Sequence, residues 1–222
     1  MIEHAKAINL KHQRVWLLPQ KAAYWQKKKI LLIADLHIGK SGHFRKSGIP
    51  VPEGVNISNI ELMDQLIQKM KPAHLIILGD LFHSRVNKEW EQFQNWRKMY
   101  PNLDVSLVVG NHDILPNSVY HSSFINIFKQ LTIDPFLFIH DLNELSPIKN
   151  RKAAYILSGH IHPAVKLKGK GKQSMKLPCF YFGKEQGILP AFGQFTGTHI
   201  IKPKQGEQVY TIAESKILSL ST

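Results

Sequence analysis

Five short motifs carry residue types that hold metal ions and move protons, and each stands where an apolar run ends. They are ADLH at 34–37, GDLFH at 79–83, GNHD at 110–113, IHD at 139–141 and GHIH at 159–162. Together they supply carboxylates, imidazoles and one amide, with no thiolate. That donor set suits borderline or hard divalent cations such as Mn²⁺, Fe²⁺ or Zn²⁺ and argues against a structural thiolate zinc site. On an extended segment, residues i and i+2 face the same side. The spacing therefore predicts that Asp35 with His37, and His160 with His162, each offer two ligands in one direction. Asn111 and His112 are adjacent and would point apart, so one is expected to ligate and the other is left for catalysis. A lone GD or GH occurs anywhere by chance, but the ordered series of five predicts a two-metal hydrolytic site. Two divalent ions facing only two carboxylates, Asp35 and Asp80, keep a net positive charge even with a bridging hydroxide. Such a site favours a phosphate ester, whose oxygens can bridge the ions.

Positioning these groups falls to the runs that precede them. ILLIA, LIILG, LVVG, FLFI and YILSG read as short buried strands, so five strand ends can converge on one rim. Residues 54–71 have the apolar spacing of an amphipathic helix. A second helix is predicted over 88–100, stopping before Pro101, with Trp90, Phe93 and Trp96 as its core face. A weaker helical stretch covers 118–130. After the last motif, CFYFG, ILPAF, HIIKP and VYTIA suggest a closing set of antiparallel strands. The pattern predicts one domain over 1–222, a layered α/β fold of two facing mixed sheets flanked by helices, with the site at the strands' C-terminal ends. Cys179, the sole cysteine, reads as a small apolar residue in LPCFYF. His4, His12, His74 and His199 read as ordinary surface or packed residues. For His83, a place near substrate and a supporting role both remain open.

The series D-x-H, G-D, G-N-H-[DE], an isolated H and G-H-x-H resembles that of the calcineurin-like metallophosphoesterases, matched in full and in order from Asp35 to His162. The resemblance implies that Asp35, His37 and His162 bind one metal, that Asn111, His140 and His160 bind a second, and that Asp80 bridges them. It places His112 near the leaving oxygen, with Asp113 orienting it. His121 competes with His140, which is preferred because it follows a strand-like run. Two longer strings, ADLHIGKSGHFRKSGIPVP and LPAFGQFTG, resemble segments of the ligase-associated DNA damage response endonucleases, the PdeM-type branch of that superfamily. This implies a manganese-dependent phosphodiesterase or nuclease acting on DNA by a two-metal mechanism. The family name brings in a ligase or helicase partner of a repair pathway. The runner-up is a phosphatase or a small-molecule phosphodiester or pyrophosphate hydrolase with the same dinuclear site.

The balance of charge fits an anionic partner. The formal net charge is +13 and the isoelectric point about 9.8, which favours nucleic acid without establishing it. Between Leu145 and Lys184 there is no acidic residue, and the lysines cluster in VKLKGKGKQSMK, one residue after GHIHP. That stretch reads as a hairpin tip able to touch backbone phosphates, or as a solvated loop. A second basic group, GKSGHFRKSG, follows the first metal motif. Its Lys40, His43 and Arg45 are candidate substrate contacts, with Arg45 suited to a forked phosphate contact. The N-terminus lacks a signal-peptide pattern and no segment is long and apolar enough to span a membrane, so a cytoplasmic location is the default expectation.

Overall fold

The computed structural model describes residues 3–39, 55–83, 86–144, 155–169, 173–194 and 196–220, with 55–57 and 168 as backbone only. The chain opens with a meander of antiparallel strands, β1 (Lys6–Leu10), β2 (Gln13–Leu18) and β3 (Ala22–Trp25), which leads into β4 (Ile30–Ala34). From β4 onward the sheet turns parallel: β5 (His74–Leu78), β6 (Asp104–Val108) and β7 (Asn126–Phe128) are added in sequence order. Parallel neighbours need crossovers. These are α1 (Val55–Met70), α2 (Lys88–Lys98) and the short α3 (Asn117–Ser122). Strand β4 is buried along its whole length, and β5 and β6 beyond their first residues, as expected for strands covered on both faces.

The helices are specified locally. Asn87 caps α2 by accepting from the backbone N–H groups of Glu89 and Trp90, and acidic residues in its first turn and basic ones in its last complement its dipole. Trp90, Phe93 and Trp96 are buried in one cluster with Ile60, Met63 and Leu66 of α1 and the outer face of the first sheet. The helix ends ahead of Pro101, whose ring bars a further turn. The helical stretch expected over 118–130 is shorter: α3 stops at Ser122, Phe124 turns with φ 54°, and β7 begins at Asn126. The β-branched Ile125 and Ile127 follow that turn, and pairing with β6 (Ser106 beside Asn126) overrides the local helical pattern.

The second sheet follows with β8 (Leu131–Ile133), β9 (Phe136–Phe138), β10 (Tyr155–Ser158), β11 (Pro163–Lys168), β12 (Ser174–Phe182), β13 (Gln186–Ile188), β14 (His199–Ile200), β15 (Gln208–Ala213) and β16 (Lys216–Leu220). Its order is β14-β11-β12-β13-β10-β9-β8, with β15 on β12 and β16 outside β15. The closing strands are not all antiparallel. β13 runs antiparallel to β12 and parallel to β10, while β14 is parallel to β11. A hairpin partner of β12 inserted beside β10 has no other direction available.

A second apolar cluster fills the space between the sheets. It joins Leu32, Ile76 and Leu78 of the first to Phe136, Phe138, Leu157 and Phe180 of the second. The layers are thus helices, sheet and sheet, the layered α/β arrangement with two mixed sheets. Among the described residues, no helix is long and apolar enough to cross a membrane.

Candidate metal centre

The register of the first sheet sets Ala34 beside Leu78 and Leu78 beside Val108, so three strands end together. Asp35, Asp80 and Asn111 follow one, two and three residues later. In the second sheet Phe138 lies beside Leu157, and His140 and His160 follow those strand ends. The rim is therefore assembled from both sheets. The residues themselves are not extended: Asp35, His37, Asp80, His160 and His162 have φ of 52°, 50°, 50°, 66° and 50°. Each such left-handed residue costs ~1–2 kcal/mol. The i, i+2 pairs do converge, but through these turns beyond the strands rather than along an extended segment. Gly79 (φ 73°) makes one close approach possible, since a Cβ there would lie 2.0 Å from His140 Nδ1. At Gly159 a Cβ would meet Asp35 Oδ2 at 2.6 Å.

Asp35, Asp80 and His140 are all but fully buried, and so is His37. Two donor groups come within 4.8 Å: Asp35, His37 and His162, and Asp35, Asp80 and His140. Asp80 faces both ways, with Oδ2 3.7 Å from His37 Nε2 and Oδ1 3.5 Å from His140 Nε2. Asp35 Oδ1 lies 3.3 Å from His162 Nε2. Its approach to His140 is to Nδ1, at 3.9 Å. That nitrogen is already committed to Leu78 O.

Tautomers test whether these groups suit a cation. A carbonyl oxygen only accepts, so His140 Nδ1 donates to Leu78 O (3.1 Å) and Nε2 is left with a lone pair. That lone pair faces three further acceptors or nitrogens: Asn111 Oδ1 at 3.2 Å, His160 Nδ1 at 3.2 Å and Asp80 Oδ1 at 3.5 Å. His162 repeats the device, donating Nδ1 to Gly197 O (3.0 Å) and turning Nε2 to the Asp35 carboxylate. Lone pairs converging on shared points are what a divalent ion satisfies, and carbonyl-held imidazoles are the usual support for such ligands. The donor set fits oxygen- and imidazole-binding divalent metals.

His112 stands at the mouth, its side chain 41% exposed and its Nε2 4.0 Å from Asp80 Oδ2. Its backbone N–H donates to Asp80 Oδ1 (3.0 Å). The His83 ring stacks beside it at a tilt, centroids 3.9 Å apart. The Asp113 carboxylate accepts from the backbone N–H groups of Gly110 (2.8 Å), Leu81 (2.9 Å) and Phe82 (3.2 Å), fastening the loop after β6 to that after β5. Although the residue is partly exposed, its carboxyl is turned inward. Burial lifts its pKa to about 7 against the lowering effect of those N–H donors. Asp113 thus acts on the two backbones that carry Asp80 and His112.

Three supports have no role that the sequence assigns. Asp141 Oδ2 lies 3.6 Å from His160 Nε2. Burial raises the Asp141 pKa, but the N–H of Asn143 and the adjacent His160 outweigh this and hold it below the usual carboxylate range. The other two are the carbonyls of Leu78 and Gly197. LPAFGQFTG supplies the latter and also clamps the first motif, since Phe192 N donates to Ala34 O (2.8 Å) and Gly193 N to Asp35 O (3.1 Å). His121 is exposed on α3, and among the described residues no contact joins it to this cluster. Lys40, His43 and Arg45 lie outside the described residues.

The pattern of the family described as calcineurin-like phosphoesterase matches residues 28–160. Among solved structures, the nuclease MPE of Pseudomonas putida is 31% identical, covering 97% of this chain and 100% of that one, with TM-score 0.81. Yfce, a phosphoesterase from E. coli, is 13% identical over 86% of this chain and 98% of its own, with TM-score 0.45. No curated protein matches the chain significantly. With the carboxylate, amide and imidazole groups of its motifs gathered at one rim, the chain belongs to the calcineurin-like phosphoesterases and is a metal-dependent phosphoesterase.

Proposed function

We propose that this protein is a Mn²⁺-dependent endonuclease that hydrolyses DNA phosphodiester bonds with a pair of metal ions and acts in DNA repair. The observation that carries the substrate class is its likeness along nearly the whole chain to a nuclease, at 31% identity. Asp35, His37 and His162 would hold one ion and Asn111, His140 and His160 the other, with Asp80, whose two oxygens face both groups, contributing to each. The ions, when bound, supply a lowered water pKa and positive charge against the phosphoryl oxygens. The chain's own contribution is to orient. Leu78 O and Gly197 O fix the imidazole tautomers, Asp141 holds His160, and Asp113 ties together the loops bearing Asp80 and His112. His112, exposed at the mouth beside Asp80, is placed to give a proton to the leaving oxygen. The repair setting, and a ligase or helicase partner, follow from the resemblance of the two longer strings to the ligase-associated branch.

The test is cleavage of circular single-stranded DNA and supercoiled plasmid with Mn²⁺, beside bis-p-nitrophenyl phosphate, with Asp80→Asn as control. Cutting of circles by wild type alone supports the endonuclease. Hydrolysis of the small diester with both DNAs left intact moves the substrate to a small phosphodiester.

A further inference from the structure

The β11–β12 hairpin leaves the metal centre directly, because His162 is followed at once by Pro163, the first residue of β11. Its register sets Lys166 opposite Lys176 and Leu167 opposite Met175. Directly opposed residues of an antiparallel pair project to one side about 5 Å apart, and like charges placed so are destabilising. On the other flank of β11, β14 runs parallel, with Pro163 beside His199 and Ala164 beside Ile200. Ile201 N still donates to Ala164 O (2.9 Å), so the offset holds up to the residue before Lys202. Lys202, Lys166 and Lys176 therefore form a row across three neighbouring segments. All three are exposed. Among the described residues no ion pair joins any of them to a carboxylate. The alternate residues Val165 and Leu177 pack in the apolar cluster with Cys179 and Val209, which turns the lysines to the opposite face.

Three uncompensated cations spaced at ~4.8 Å, the distance between neighbouring strands, make a linear array that a polyanion matches and a single small phosphate does not. We propose that this row, which crosses the strands about four residues beyond the metal centre, holds by its backbone phosphates a nucleic-acid strand that passes through that centre. The inference rests on the DNA reading above and adds a length requirement to it. Lys166 is four residues beyond His162, ~13 Å along a strand. At ~3.4 Å of rise per stacked nucleotide, that is about four nucleotides from the scissile phosphate.

The experiment compares the whole Mn²⁺-loaded protein with K166A/K176A/K202A and with the triple Lys→Arg variant. Binding of a labelled single strand of about 20 nucleotides is followed by anisotropy from ~50 to ~200 mM salt. Cleavage of that strand, of a tetranucleotide and of bis-p-nitrophenyl phosphate is measured in parallel. The alanine variant is expected to lower the salt slope of log K by about 2, at ~0.7 per lost contact, and to raise KM for the long strand at least about tenfold. Its kinetics on the tetranucleotide and the small diester stay at wild-type values, and the arginine variant recovers long-strand binding. An unchanged slope and KM on the long strand overturns this role of the lysine row, and so does an equal loss on the small diester. Wild type that binds the strand with a lysine-dependent slope but does not cut it overturns the endonuclease reading and supports the row's role. Wild type that hydrolyses the small diester yet neither binds nor cuts the strand overturns both.

Discussion

His112 differs from His140 and His162, whose rings are held by backbone carbonyls, in facing outward, with its backbone tied to Asp80. Removing the ring should therefore leave the donor cluster intact. His112→Ala is expected to keep the wild-type metal content by elemental analysis and to lose about 10²–10⁴ of turnover. Metal loss in that variant would move His112 into the ligand set. At Gly79 the opposite holds, because a methyl group would strike His140 Nδ1 at 2.0 Å on a backbone with φ 73°. Gly79→Ala should lose metal and at least about 1–2 kcal/mol of stability. A denaturant midpoint and metal content both equal to wild type would refute the clash. The residues that converge at the rim could be named from their motifs because side-chain chemistry is written in the sequence. Their local geometry could not, since left-handed turns at Asp35, His37, Asp80, His160 and His162 replace the extended spacing. The groups that orient His140 and His162 are backbone carbonyls, which every residue possesses.

Strand β5 starts with His74, whose Nε2 shares a hydrogen bond with Ser106 Oγ (2.8 Å) in the middle of β6. Burial lowers its pKa, with Asp104 pulling weakly the other way. A depressed folded value means that the stability linked to the neutral ring is fully present above the ordinary histidine value of ~6.5 and is lost as pH falls from there through the lowered value. His74→Gln should flatten that decline in melts taken at successive pH values. A variant with the wild-type slope would assign the decline to other groups. Strands β4, β5, β6, β9 and β10 and the core face of α2 were legible because burial on both sides, or on one helical face, writes a continuous or periodic apolar pattern. The third helix was not: 118–130 has helical spacing over a span too short to outweigh edge pairing of β7 with β6. The parallel directions of β13 and β14 depend on which strands already occupy the sheet.

At the scale of the molecule, the donor set is divided between layers. Asp35, His37, Asp80 and Asn111 come from the first sheet's rim, and His140, His160 and His162 from the second's. An ion held by both sets binds the folded arrangement and not the unfolded chain. Mn²⁺ at about a hundred times its Kd should add about 2.7 kcal/mol, or roughly 5–10 °C of Tm for a chain of this length. Chelation should reverse the gain, and Asp80→Asn should show little of it; equal melting with and without Mn²⁺ would mean the sheets are held by their apolar interface alone. That division also coincides with a division of the chain. Strands β1–β7 end at Phe128 and β8–β16 begin at Leu131, so a backbone cut between Lys129 and Gln130 severs no β-ladder. The first piece would carry four of the donor residues and the second three, and each would carry one wall of the inter-sheet core. Hydrolysis would then return on mixing as a second-order process, with the concentration of divalent ion deciding how many fragment pairs are joined.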